Sequence, residues 1–216
     1  LVTAGATVGE NALGVALDQL VRRNLRGVWV RGALPAGAAV WTTNHHSWWD
    51  FFAAAAALRA VGQRNVAVLV DATTMAKPGP LRMAGVVLTT ELRAALRKLS
   101  SGAVLVIFPE GELRPVGPVG PFRPGARWLA DTARVPLLVV ATRVVLRGNQ
   151  AAEAYLDVTA PTAPGDDPQP LLAAAVARLD DDLAQADPMV PLPGFRQLVR
   201  GVRSWNERFG GAMVRS

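Results

Sequence analysis

Gly102-Ala103-Val104-Leu105-Val106-Ile107-Phe108-Pro109-Glu110-Gly111 is the stretch that decides the fold. From Ala103 to Phe108 the run is apolar without interruption, bounded by a glycine and a proline, so the segment has no polar face to offer water. A strand covered on both sides reads this way, and such strands belong to largely parallel sheets with helices on each face. Its abrupt end in Pro109-Glu110-Gly111 also places polar groups at the strand's carboxyl end, where open α/β sheets hold their ligands.

Working outward towards the N-terminus, Val66 to Val70 and Ala38 to Thr43 read as two more strands, separated by an alanine-rich helix from Trp49 to Ala60. Before them Val28-Trp29-Val30 reads as a short strand, preceded by a helical stripe of Leu13, Val15, Ala16, Leu20 and Val21 that ends near Arg22 and Arg23. Pro78, Gly79 and Pro80 break the chain before a short helical turn; Val86 to Leu88 is strand-like and Glu91 to Leu99 a basic amphipathic helix. Towards the C-terminus, Gly111 to Pro124 is rich in glycine and proline and predicts a loop, Gly125 to Arg134 a helix, and Leu137 to Thr142 and Ala154 to Thr159 strands, followed by a proline-rich linker to Pro170 and two helices. In the last of these, Phe195, Leu198, Val199, Val202, Trp205 and Phe209 gather on one helical face, with Arg196, Arg200, Arg203 and Arg208 on its flanks and back. That pattern predicts a basic amphipathic helix suited to an anionic membrane surface.

The alternation of strands and helices predicts a single α/β domain with a mostly parallel central sheet flanked by helices. Its parts are an N-terminal helix over residues 1–26, the α/β domain over 27–165, and C-terminal helices over 166–216 packed on or extending it. With 216 residues the chain can bury a full core. Half of the residues are apolar and only 19% are charged, which excludes a disordered chain. The absence of cysteine excludes disulfides, thiolate metal sites and a cysteine nucleophile. Basic residues outnumber acidic ones by 23 to 17, nearly all of them arginine, which favours anionic partners. The arginines are scattered and follow no nucleic-acid motif, so no nucleic acid is expected. The longest apolar stretches, Phe51 to Val61 and Val135 to Leu146, are each broken by an arginine, so no segment is expected to span a bilayer. No signal peptide is visible, and the start at Leu1 without methionine leaves room for an upstream segment.

Both histidines fall in Asn44-His45-His46-Ser47-Trp48-Trp49-Asp50, between a predicted strand and a predicted helix. Five residues of continuous helix would turn Asp50 about 140° away from His45. The two can meet only if His45 lies in the loop and Asp50 in the first helical turn. An alcohol attacks an acyl thioester only with help from a base near neutral pKa, and that base needs an anion to fix its tautomer; His45 and Asp50 are the candidates. The same His45, His46 and Asp50 also read as ligands of a metal-dependent hydrolase, and a lipid-binding module that kept the fold and lost the chemistry is a third class. The second constellation is Phe108-Pro109-Glu110-Gly111-Glu112-Leu113-Arg114: a glycine for close backbone approach, carboxylates for hydroxyls and an arginine for an anionic group. Trp41, Trp48 and Trp49 flank the first motif and are assigned no catalytic role.

The order of Asn-His-x4-Asp, Phe-Pro-Glu-Gly, then Phe122-Arg123-Pro124-Gly125-Ala126 and Val135-Pro136-Leu137 resembles the glycerolipid acyltransferase family of the lysophosphatidate acyltransferase type, over roughly Gly27 to Val145. The resemblance implies an α/β fold, His45 as general base and Asp50 as its orienting acid. It places Glu110 and Gly111 in the acceptor site; Arg114 and Arg123 are read as further substrate-binding residues from their charge and their place around the same loop. It also implies acyl-CoA or acyl-carrier protein as donor, a lipid acceptor, direct attack without acylation of Ser47 or any other side chain, and no metal or organic cofactor. A cytoplasmic enzyme peripherally associated with the membrane is the matching expectation. Two departures bear on the acceptor. Gly85-Val86-Val87-Leu88-Thr89-Thr90-Glu91 carries no arginine where this family often has one. Glu112-Leu113-Arg114 replaces the usual Thr-Arg-Ser, moving the arginine by one position and adding a carboxylate that would repel a phosphate. Lys77, Arg82 and Arg123 remain to supply positive charge, and a nonphosphorylated acceptor such as a glycolipid or terpenoid glycoside is the alternative to a lysophosphatidate.

Overall fold

The structure, a computed structural model, describes residues 8–73 and 85–209. In chain order the elements are α1 (Val8–Asn24), β1 (Leu25–Arg31), β2 (Ala39–Thr43), α2 (Asp50–Ala60), β3 (Val66–Val70), β4 (Val86–Leu88), α3 (Leu92–Ser100), β5 (Val104–Ile107), α4 (Ala126–Ala133), β6 (Leu137–Val145), β7 (Ala152–Val158), α5 (Pro168–Gln185), β8 (Arg196–Arg200) and α6 (Trp205–Phe209). The strands form one eight-stranded sheet in the order β4-β3-β5-β2-β6-β7-β1-β8. The first five in that order run parallel, with β2 between β5 and β6, and β7 turns back antiparallel to β6.

The uninterrupted apolar run of β5 has its cause in this arrangement. Val104 and Val106 face the core layer that contains α2, whereas Leu105 and Ile107 face the layer of α3, α4 and α5. Neighbouring residues of a strand point to opposite faces, so both sets must be apolar. On the first face Ala53 to Ala57 are all buried, and their small side chains let α2 lie close to the sheet. Pro168 and Pro170 stand in the first turn of α5, where a missing N–H costs no helical bond, and Asp167 caps that turn through Gln169 N at 2.9 Å. The proline-rich linker expected to reach Pro170 therefore ends at Asp167. The expected turn around Pro78, Gly79 and Pro80, with Lys77 and Arg82, lies outside the described residues.

The C-terminal segment corrects the sequence reading. Residues 166–216 were expected to hold only helices, the last of them amphipathic. The first of them is α5, but Arg196–Arg200 then form β8, antiparallel to β1, with Val28 paired to Val199 and Gly27 to Arg200, and among the described residues after it only Trp205–Phe209 are helical. Gly194, at φ +78°, turns the chain into the strand. In this form the segment satisfies backbone groups of β1 that a helix would leave unpaired. Val199 enters the core, and Phe195 meets Tyr155 edge-on at 5.3 Å beneath the Arg31 guanidinium. Gly201 then passes so near β1 that an added Cβ would stand 1.9 Å from the Leu25 carbonyl oxygen.

Candidate active site

The parallel strands β2, β3, β4 and β5 deliver four connecting segments to one edge of the sheet, and the functional side chains sit there. Beyond β2, the Asn44 amide exchanges two hydrogen bonds with the Thr142 backbone, donating to its O at 3.0 Å and accepting from its N at 2.9 Å. This fixes the start of the loop to β6. The helix α2 begins at Asp50, so the acid stands in the first turn at the positive end of the helix dipole. Asp50 Oδ2 accepts from the backbone N–H groups of His46 and Ser47, both at 2.8 Å, and lies 2.9 Å from His45 Nδ1. Asp50 is fully buried, whereas the His45 side chain remains 25% exposed and stacks on Phe108 at 4.1 Å. In the tautomer that donates Nδ1–H to Asp50, His45 Nε2 carries the ring's lone pair.

His46 is placed differently. Its side chain is only 4% exposed, its Nε2 accepts from Val144 N at 3.0 Å, and its Nδ1 lies 3.6 Å from Asp50 Oδ1. Burial pushes its pKa below the ordinary value, which keeps the ring neutral. With Nε2 bonded to backbone, His46 does not offer a free nitrogen beside His45 for a shared ion.

Glu110, Gly111, Arg114 and Arg123 come to the same edge. Glu110 is buried, and both of its oxygens face backbone: Oε2 accepts from His45 N at 3.0 Å and Oε1 from Gly120 N at 2.8 Å. Its carboxylate thus holds the histidine's own main chain and the loop after β5. Arg114 N donates to His45 O at 2.8 Å, and its guanidinium bonds Glu112 at 2.7 Å and stands 3.7 Å from Glu110. Arg123 pairs with Asp71 at the end of β3 and lies across Gly111. Gly111 has φ +72°, and a Cβ there would come 2.5 Å from Arg123 Nε, so both backbone and space require glycine. Of the flanking tryptophans, Trp41 is fully buried in the core and Trp48 is 59% exposed, packed against Trp49 and Phe52.

Asp71 and Arg143 are the residues of this region that the sequence reading did not single out. Arg143, 1% exposed, is held by Asp180 at 2.6 and 2.7 Å and donates to the carbonyls of Gly117 and Thr142. An arginine interrupting an apolar strand was the available signal, since such a charge is buried only when paired. Nothing comparable marks Asp71.

The fold and the edge just described define an α/β enzyme domain of a known class. The model of the family described as Acyltransferase matches residues 27–143, more than half of the chain, and the chain belongs to that family. Among solved structures it is similar to the crystal structure of the 1-acyl-sn-glycerophosphate (LPA) acyltransferase, PlsC, from Thermotoga maritima, with a TM-score of 0.57 and 20% sequence identity over 82% of this chain and 79% of that one. That likeness establishes a shared fold. Comparison with curated proteins gives no match.

Proposed function

We propose that this acyltransferase moves a fatty acyl group from a thioester donor, acyl-CoA or acyl-carrier protein, to a hydroxyl of a lipid acceptor. The observation that carries the reading is the 2.9 Å approach of His45 Nδ1 to Asp50 Oδ2, an oxygen already fixed by two backbone N–H groups. His45 Nε2 takes the proton of the acceptor hydroxyl as its oxygen attacks the thioester carbonyl. Asp50 steadies the imidazolium that forms, and the proton passes from Nε2 to the departing thiolate when the C–S bond breaks. Attack is direct, so no side chain is acylated, and the chemistry calls for no metal or organic cofactor. The resemblance favours a lysophosphatidate-type glycerolipid as acceptor; the charges around the site bear on that choice and are taken up below.

A water-insoluble acceptor is met at a membrane surface. No helix among the described residues is long and apolar enough to cross one. Trp48, Leu113, Val116 and Leu146 are each more than half exposed and lie within three residues in the chain of His45, Arg114 or Val144, of which Arg114 and Val144 bond the two histidines, so we read them as an apolar rim of the site. Such a rim supports contact with lipid around the reacting end of the domain. The experiment for the central claim measures thiol release and acylated lipid together with purified protein. Wild type should give both in equal amounts and His45→Ala neither; thiol release without acylated lipid would mean a hydrolase instead.

A further inference from the structure

We infer that the acceptor presents an uncharged, hydroxyl-bearing head, as in a glycolipid, to this edge of the sheet rather than a phosphate monoester. The inference rests on the acyl-transfer reading and concerns what that site accepts. Besides the buried Arg143–Asp180 pair, the described residues around the site include two guanidinium groups, Arg114 and Arg123, two carboxylates that reach solvent, Asp71 and Glu112, and two that are buried, Asp50 and Glu110. Over these six described groups, two positive and four negative, the formal sum is −2, whereas a phosphate monoester brings a further charge of about −1.5 to −2 at pH 7. Both arginines are ion-paired, although the buried Nε of Arg114 has no hydrogen-bond partner. Arg114 bridges Glu112 and Glu110, and Arg123 is bonded to Asp71.

Their placement is also constrained. The Arg114 guanidinium lies on Gly120, where a Cβ would be 2.7 Å from its Cζ, and that of Arg123 lies on Gly111. A phosphate that drew either arginine away would leave its carboxylates facing the same anion. Asp71 is moreover held as an acceptor by the Thr73 N–H at 2.8 Å and hydroxyl at 2.7 Å, which keep its pKa low. Guanidinium–carboxylate pairs beside hydroxyls suit sugar-type hydroxyls, because the carboxylates accept, the arginines donate, and no net charge is needed. Thr73, Thr89 and Thr90 extend that flank with neutral hydroxyls, and Thr89 Oγ1 accepts from Ala72 N at 3.4 Å.

The test compares a monoglycosylated lipid alcohol, a monoacylglycerol and a lysophosphatidate of equal chain length, in the same detergent, with wild type and with the Asp71→Asn/Glu112→Gln double variant. Both substituted side chains reach solvent, and the folded state of the variant is checked by circular dichroism. Wild type should show kcat/KM at least about tenfold higher for the glycosylated acceptor than for lysophosphatidate. The double variant should move that ratio about tenfold or more towards lysophosphatidate, chiefly through KM. Wild-type preference for lysophosphatidate, or a ratio that the double variant leaves in place, overturns the inference while leaving acyl transfer intact. A higher rate with monoacylglycerol than with the glycosylated lipid also overturns it, since the head would then not be read. Failure of all three acceptors would sink the transfer reading, and this inference with it.

Discussion

Asp50 Oδ2 gathers three N–H groups, two of them from the backbone of the loop that carries His45. One atom therefore shapes the loop and orients the His45 ring, and the amide of Asp50→Asn cannot reproduce both functions. His45→Ala and Asp50→Asn are each expected to lower kcat by at least about a hundredfold, the scale of general-base catalysis, in steady-state assays with a saturating donor. His46 should behave otherwise. Its pKa is depressed by burial, so as pH falls below about 6.5 the unfolded chain binds a proton that the folded chain refuses, and stability drops. Unfolding midpoints measured from pH 7 to pH 5 should fall in wild type and fall less in His46→Gln; equal slopes would remove His46 as the cause. At this scale the spacing of His45 and Asp50 was readable, because it admits few geometries. The inward role of Glu110 was not, since its partners are backbone N–H groups of His45 and Gly120, 65 and 10 residues away, and backbone donors leave no mark in a sequence.

Among elements, the loop from Gly111 to Gly125 is fastened at Arg114 N, Gly120 N, Gly117 O and Arg123 N, so it behaves as a fixed wall of the site. Glu110→Gln keeps one acceptor oxygen and places a donor against a second backbone N–H. It should cut kcat by about tenfold to a hundredfold by displacing His45, with little change in acceptor KM. A rise confined to KM would show that Glu110 binds acceptor instead. The parallel strands were legible because burial on both faces forces apolar runs, as in β5. The strand β8 was not, because Phe195, Leu198, Val199 and Val202 fit a 3.6-residue period, and what makes the segment extended is the open edge of β1, about 170 residues away in the chain. Ending the chain after Gly194 removes that strand and the buried Val199, and thermal unfolding should show a loss of stability in detergent and with vesicles alike. Unchanged stability would return the segment to the role of a detachable helix.

For the whole molecule, the proposed membrane contact lies at the apolar side chains near the site, since Arg196–Arg200 are a strand of the sheet. Trp48→Ser combined with Leu146→Ser should weaken co-sedimentation with lipid vesicles by about tenfold or more while leaving circular dichroism unchanged. Equal sedimentation would move the contact elsewhere. The sheet that carries this rim ends at β4, three residues long, and at β8, where Arg196, Gln197 and Arg200 are exposed. An open strand edge is a template on which a second chain can add its own backbone. Two copies of β8 meeting antiparallel would bring the arginines of one against those of the other, so the edge repels its own image. The charge that a membrane helix would have used for anionic lipid thus protects the chain from stacking into fibrous aggregates. Arg196→Val with Arg200→Val should make light scattering rise with protein concentration during refolding.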